Sequence, residues 1–463
     1  VNSTSAAAIH IRVLDEQATA YSGVTRYDPG LTAESYSYQN NATKYNDNNN
    51  VSYGATYTDD DVIGVKLDLD NGTLEFLKNN TSQGQAYSGL SGGFAPAIGD
   101  GSTAGTHTVT ANFGQRAFEY SIPAGYKKIC SANLPEPTIK NGTDYFNTLL
   151  YEGNSTDARA ITGVGFGPNL VWIKNRDDTD WNNWYDTVRG AGKRISSNSN
   201  TDEHDSTDHM DSIDSDGFTL KDGDNTNQNG ESYVAWNWKE SSSAGFDIVS
   251  YTGTGSNTTV AHNLGVQPDV IIVKNCDQTD NWAVYHDTPG PGYIGELNDT
   301  GVFTNVDAVW NNTRPTSSVI NIGDDHRTNA NGEDYIAYIW ASVEGYSKIG
   351  SYTGNGNTDG PFVYCGFRPA YILTKRIETT PNAYWNIFDT ARDPYNSGTT
   401  ANFKRLLAHA NSAEATNHAN YTPPDILSNG FKLRHCRADT NYDGKKFIFL
   451  AFAETPFKYA NAR

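Results

Sequence analysis

At 463 residues the chain is too long for one ordinary domain and suits three or four. A formal charge of −20 argues against nucleic acid and against anionic membranes, because both call for a positive surface. Charged residues are only 19% of the chain, and Asn, Thr, Ser, 43 Gly and 28 Tyr take their place, a composition of strands and turns rather than helices.

No apolar run reaches the ~20 residues a membrane helix needs, so no membrane insertion is expected. The first residues lack the charged, apolar, then small pattern of a signal peptide. Cys130, Cys276, Cys365 and Cys436 lie far apart without metal spacing and are expected to be buried thiols rather than a disulfide pair.

The first region, 1–130, holds "VIGVKLDLDNGTLEFLKNN" at 62–80. Val65, Leu67 and Leu69 alternate toward an Asn71-Gly72 turn, and Leu74 and Phe76 follow, which predicts a hairpin. Asp68, Asp70 and Gly72 echo the start of a calcium loop. The position that needs a Glu is Asn79, however, and the flanks read as strands, so calcium is not expected. This stretch, with "FAPAI" (94–98) and "ANFGQRAF" (111–118), resembles a SPRY domain, a β-sandwich used for binding proteins and ligands. The early SPRY strands are not visible, so the chain is expected to begin inside that domain or to need another segment to complete it.

A linker at 131–142 leads into three related repeats, 143–241, 242–344 and 345–463. Tyr151, Gly153, Gly165, Pro168 and Lys174 recur 100 positions later as Tyr251, Gly253, Gly265, Pro268 and Lys274. They recur again as Tyr352, Gly354, Gly366, Pro369 and Lys375. Asp186, Asp287 and Asp389 continue the series, each with an aromatic five residues earlier: Trp181, Trp282 and Tyr384. In each copy an apolar run enters beside the Pro, turns, and returns through an aromatic strand, which predicts a hairpin. A last strand closes each copy. In the first, Tyr233, Ala235 and Asn237 face one way and Val234, Trp236 and Trp238 the other. The expected fold class is all-β: a SPRY-like β-sandwich followed by three tandem related β-sandwich repeats. Short apolar linkers predict stiffly abutted modules, either a rod or a compact triangle. A short helix is expected around Leu406–Ala415.

"EPTIKNGTDYFNTLLYEGN", "NGFKLR" and the terminal "AETPFKYANAR" resemble repeats found behind SPRY domains in virion proteins of tailed, particularly marine, bacteriophages. The resemblance implies a virion address, on the tail or capsid surface, and carries over no catalytic residue. It also implies other virion proteins as partners, a homo-oligomer of trimeric type, and a host surface glycan or receptor.

The residues themselves carry no Gly-x-Ser-x-Gly elbow, Walker loop or His-Glu-x-x-His, and no cofactor is expected. "GTGSN" (253–257) and "GNGNTDG" (354–360) read as turns. The acidic run at 201–216 reads as a solvated loop, with His204, Asp208 and His209 as the metal-binding alternative. Trp181, Asn182, Asn183, Trp184, Tyr185, Trp282 and Trp385 have the chemistry of a sugar-stacking surface. Aromatics at one repeated spacing more simply fill a core, and core is the preferred reading. Lys174, Lys274 and Lys375 are expected to bridge to Asp186, Asp287 and Asp389. Ligand contacts are expected on the divergent loops 189–212, 289–314 and 393–425.

The function expected is that of a non-enzymatic bacteriophage virion surface protein, a tail fibre or adhesin contacting host glycans. The alternatives are a purely structural head fibre or capsid decoration protein, and a secreted carbohydrate-active enzyme.

Overall fold

The computed structural model describes residues 2–3, 9–15, 33, 35–92, 94–100, 107–379, 383–396, 404–415 and 422–460. They fall into two compact units, Val1–Leu134 and Pro135–Arg463. Strands dominate both, and the α-helices among the described residues are single turns at Asp224–Asn227 and His326–Asn329. None is long and apolar enough to cross a membrane.

In the first unit one antiparallel sheet runs Asn49–Ser52, Thr43–Asn46, Ser35–Gln39, Ile9–Asp15, Phe94–Asp100 in spatial order. A second sheet carries the predicted hairpin, Ile63–Asp68 against Thr73–Lys78, with Thr81–Ser88 added. Leu74 and Phe76 are buried among Tyr38, Tyr53 and Tyr57, with Tyr38 edge-on to Tyr53 at 5.2 Å and to Tyr57 at 5.0 Å. Leu69, expected within the strand, lies in the turn and is exposed, because the Asp68 carboxylate accepts the Asn71 N–H at 3.0 Å and ends the ladder one residue earlier.

The second unit is built from three copies of one two-sheet module. In the first copy the large sheet runs Phe146–Glu152, Ser232–Trp238, Leu170–Asn175, Asn183–Asp186, Lys193–Ser196, His204–Asp205. The small sheet is Arg159–Thr162, Gly217–Leu220, Met210–Asp214. The other copies repeat the plan, with Val270–Asn275 and Phe367–Arg376 taking the place of Leu170–Asn175. Pro168 and Pro268 precede these strands as expected. Pro369 instead sits inside its strand, at a register irregularity where a residue without an N–H is tolerated. The repeated glycines have a steric reason: a Cβ on Gly153, Gly253 or Gly354 would collide with the backbone of Gln228, Ala330 or Tyr442.

The alternation of the last strand decides the architecture. Tyr233 and Ala235 pack inside their own copy with Phe218 and Leu220 of the small sheet. Val234, Trp236 and Trp238 point the other way, into a core shared by all three copies that also holds Trp282, Tyr338, Trp340, Tyr371, Trp385 and Phe452. Both faces of the central strands of the large sheets are therefore buried, from Tyr233 to Trp238 and from Tyr335 to Trp340. Three sandwiches surround one core, and a rod is excluded. The segment Leu406–Ala415 forms a short strand and an isolated bridge rather than a helix, since it pairs with the edge of the third large sheet.

Candidate functional site

Each copy touches both others, and the three junctions repeat one geometry. At the start of each return strand a side chain reaches across to the neighbouring copy's sheet edge. Trp282 Nε1 donates to Ser196 O (3.1 Å) and Ser199 O (3.0 Å), and Trp385 Nε1 donates to Glu296 O (2.8 Å). Asn182 Nδ2 donates to Ala410 O (2.8 Å) and Leu407 O (3.2 Å). Second to first, third to second, first to third: the ring closes.

The structural equivalents are thus Asn182, Trp282 and Trp385, and not the series Trp181, Trp282, Tyr384 read from spacing. Trp282 and Trp385 are sealed in the core, while Trp181 and Tyr384 are only partly buried beside it. Asn182, Asn183, Trp184 and Tyr185 are also buried, so no sugar ring reaches these candidates. Trp181 alone keeps part of its surface, under the Arg194 guanidinium at 5.2 Å and near the His204 ring at 6.2 Å.

The expected Lys–Asp bridges are replaced by other pairings. Lys174 Nζ donates to Asn175 O (2.6 Å) and Asp178 O (3.1 Å), and Lys274 to Asn275 O (2.6 Å) and Gln278 O (3.3 Å). Lys375 donates to Ala383 O (2.6 Å) and Asp299 O (3.1 Å). Each lysine caps turn carbonyls, and burial lowers its pKa, to about 8 for Lys174 and Lys274 and about 7 for Lys375.

The aspartates serve the junctions instead. Asp186 binds Arg189 Nε at 2.6 Å, accepts Tyr338 Oη of the second copy at 2.7 Å, and Arg189 Nη1 continues to Glu203 at 3.2 Å. Asp389 binds Arg392 Nε at 2.6 Å, accepts Trp236 Nε1 of the first copy at 3.0 Å, and Arg392 Nη1 continues to Glu414 at 2.9 Å. The partner of Asp186 and Asp389 in the strand register is His286, since Leu170 faces Asp186, Val270 faces His286 and Tyr371 faces Asp389. Asp287 lies one residue further on and pairs with Arg314 at the surface. In the second copy the Arg gives way to Pro289 and the Glu to Phe303, and the facing residue of the third copy is Leu450. Phe303 packs against Trp385 at 6.4 Å, and burial holds the His286 pKa down at about 3. Two junctions are ionic at these positions; the third carries a neutral imidazole and apolar side chains there, while Lys375 Nζ crosses it to Asp299 O.

Each divergent segment contributes residues to these contacts. Glu203 N donates to Cys276 O (2.9 Å), Asp280 N to Asn200 O (2.8 Å), Ala383 N to Thr300 O (3.1 Å) and Glu414 N to Arg176 O (2.8 Å). Residues 397–403 and 416–421 of the third segment lie outside the described residues. The metal alternative also finds another use for its ligands. His209 Nδ1 lies 2.6 Å from Asp208, while its Nε2 faces Asn225 Nδ2 at 3.2 Å and the Arg194 guanidinium at 3.4 Å. A cation there would meet Arg194, and among the described residues no three His, Cys, Asp or Glu converge on one point. All four cysteines are free, yet only Cys365 is fully buried; Cys130 and Cys276 are half-buried and Cys436 is exposed.

One repeated element lies outside the evenly spaced series. Asn227, Asn329 and Asn441 are buried, and each accepts an N–H of the glycine-turn strand exit (Asn154, Thr254, Asn355). Each also donates to two carbonyls, Lys221 and Thr156 in the first copy. An Asn near the start of every closing segment was the available signal.

Residues 141–456, the three-copy unit, match the model described as a domain of unknown function, DUF7483. The chain belongs to this family. Residues 16–116 match the SPRY domain model, in agreement with the resemblance carried by the hairpin at 62–80. The chain is therefore a SPRY domain followed by a DUF7483 domain.

Proposed function

We propose that this chain is a non-enzymatic virion surface protein of the tail-fibre or adhesin type, which contacts host surface glycans through the third copy of its DUF7483 domain. The observation that carries the reading is a departure from the repeat. In the outer sheet of the third copy, Phe362 and Tyr364 flank buried Val363 and stand 44% and 53% exposed. The matching positions are Ala160 and Thr162 in the first copy and Thr259 and Ala261 in the second, fixed by the register that pairs Ile161 with Phe218, Val260 with Ile320 and Val363 with Phe431.

Two neighbouring aromatic faces on one side of a strand, exposed where sister copies carry small residues, form a platform for stacking on sugar rings. Asp186, Glu203, Asp389 and Glu414 are committed to junctions within the fold, which favours a scaffold that presents surface. The SPRY resemblance adds a second binding sandwich, and the sequence likeness to phage virion repeats supplies the address.

The test compares the full chain with a Phe362→Thr/Tyr364→Ala variant on host cells and on a glycan array. The variant is expected to lose binding while its tryptophan fluorescence unfolds at the wild-type midpoint. Unchanged binding sinks the platform. Immunogold labelling of particles addresses the location: label at tail tips supports the adhesin, and label over capsids without cell binding makes decoration the better reading.

A further inference from the structure

The ionic junctions are not identical, and their difference leaves a cavity. Between the third and first copies Glu414 is held by three cations. Arg392 Nη1 lies at 2.9 Å, Arg176 at 3.2 Å through Nε and 2.8 Å through Nη2, and Lys404 Nζ at 3.5 Å. Between the first and second copies the same frame is present around Glu203, with Arg189 at 3.2 Å and Lys193 at 3.3 Å. The third cation is missing there, because the residue equivalent to Arg176 is Cys276. The backbone equivalence is direct: Arg176 N and Cys276 N each donate to the entering residue of the closing strand, Ser232 O and Asp334 O, both at 2.8 Å. Their carbonyls accept from Glu414 N and Glu203 N in turn, at 2.8 and 2.9 Å.

Where the guanidinium would sit there is a cavity of about 350 Å³, lined among others by Arg189, Glu203, Tyr251, Cys276, Asp277 and Asp334. Three acidic residues, Glu203, Asp277 and Asp334, line it with one arginine. The Arg189 guanidinium is already bound to Asp186, and among the described residues Asp277 and Asp334 accept only neutral donors, Asp334 N at 2.7 Å and Thr252 Oγ1 at 2.8 Å. The volume is at the low end of the ~300–1,000 Å³ typical of small-ligand sites.

We propose that this cavity is a binding site for a guanidinium group supplied from outside the chain, which completes around Glu203 the cation set that Arg176 completes around Glu414. The chain itself shows the ligand chemistry, since the sister junction holds a planar guanidinium on its carboxylate through two N–H groups. A bidentate pair of this kind favours guanidinium over ammonium. The half-buried Cys276 thiol makes room for the ligand and brings no competing charge. The guanidinium comes either from a small molecule or from an arginine side chain of a partner protein.

Calorimetric titration of the full chain tests the site, with agmatine and the peptide Gly-Arg-Gly as probes and putrescine as the ammonium control. Saturable binding of agmatine or the peptide at a single site, with weaker binding of putrescine, is expected; the tighter of the first two identifies the source. Glu203→Gln should weaken binding by at least about tenfold. Cys276→Arg should abolish it, because the internal guanidinium then occupies the cavity, with a melting temperature no lower than wild type. Absence of saturable binding to the wild type overturns the proposal, as does equal affinity in Glu203→Gln. Wild-type affinity in a folded Cys276→Arg chain does the same. If that variant fails to fold, the wild-type and Glu203→Gln titrations decide.

Discussion

Arg189 offers the most direct test of how the three copies are held together. Its guanidinium is 5% exposed and its partner Asp186 is fully buried, so Arg189→Leu strands a carboxylate at a closed junction. Tyr338 Oη and the N–H groups of Val188 and Arg189 remain on Asp186, and they solvate the charge without neutralising it. Breaking one side of a buried pair costs about 3–5 kcal/mol. With a urea slope of about 3 kcal/mol/M, the unfolding midpoint should fall by about 1–1.7 M. All 9 tryptophans lie from Trp172 to Trp385, so tryptophan fluorescence, excited at a wavelength that spares tyrosine, reports the second unit alone within the intact chain. A second variant copies the uncharged set of the junction between the second and third copies: Asp186→His, Arg189→Pro, Glu203→Phe and Tyr338→Leu together. It removes both signs of charge and should return to within about 1–2 kcal/mol of wild type. A midpoint unchanged in Arg189→Leu would refute the reasoning. So would a quadruple variant less stable than the single one, because the cluster would then not act as one unit.

Three further outcomes follow from the geometry. Trp282→Phe removes the donor shared by Ser196 O and Ser199 O and part of a buried ring, and should cost about 2–4 kcal/mol by the same fluorescence assay; a cost near zero would mean the crossing bonds do not tie the copies together. Lys274→Met leaves Asn275 O and Gln278 O without their lysine and should cost about 1–3 kcal/mol, whereas no loss would show the capping to be dispensable. His286 has a pKa held down at about 3 by burial, against roughly 6.5 in the unfolded chain, so the unfolded state takes up the proton first. The stability its neutral form contributes is complete above about pH 6.5 and drains at about 1.4 kcal/mol per unit as pH falls toward 3. Urea midpoints for His286→Leu should therefore gain on wild type as pH is lowered from about 7 to about 4.5, and a difference that does not move with pH would count against a neutral buried imidazole.

Strand content, the repeat and the hairpins were legible in the sequence because they rest on local physics. Period-two patterning, turn dipeptides and glycines that admit a close backbone keep their meaning wherever the module is placed. The two faces of Ser232–Trp238 were readable for the same reason, though their destinations were not. Fixed spacing misled by one residue at two points. It aligned Trp181 with Trp282 and Asp186 with Asp287, where the strand register pairs Asn182 with Trp282 and Asp186 with His286. A one-residue slip turns a side chain to the other face of a sheet, which a count of residues cannot register. Closure of the ring, the reach of Tyr338 and Trp236 onto Asp186 and Asp389, and the cavity beside Cys276 were decided only by the tertiary structure. Each depends on groups from different copies, such as Tyr338 on Asp186 and Trp236 on Asp389, that meet when three sheets bury their inner faces together. The sequence by itself determined what each module is. Burial of one common core determined which charges became neighbours, because a charge removed from water must find its partner wherever packing places one.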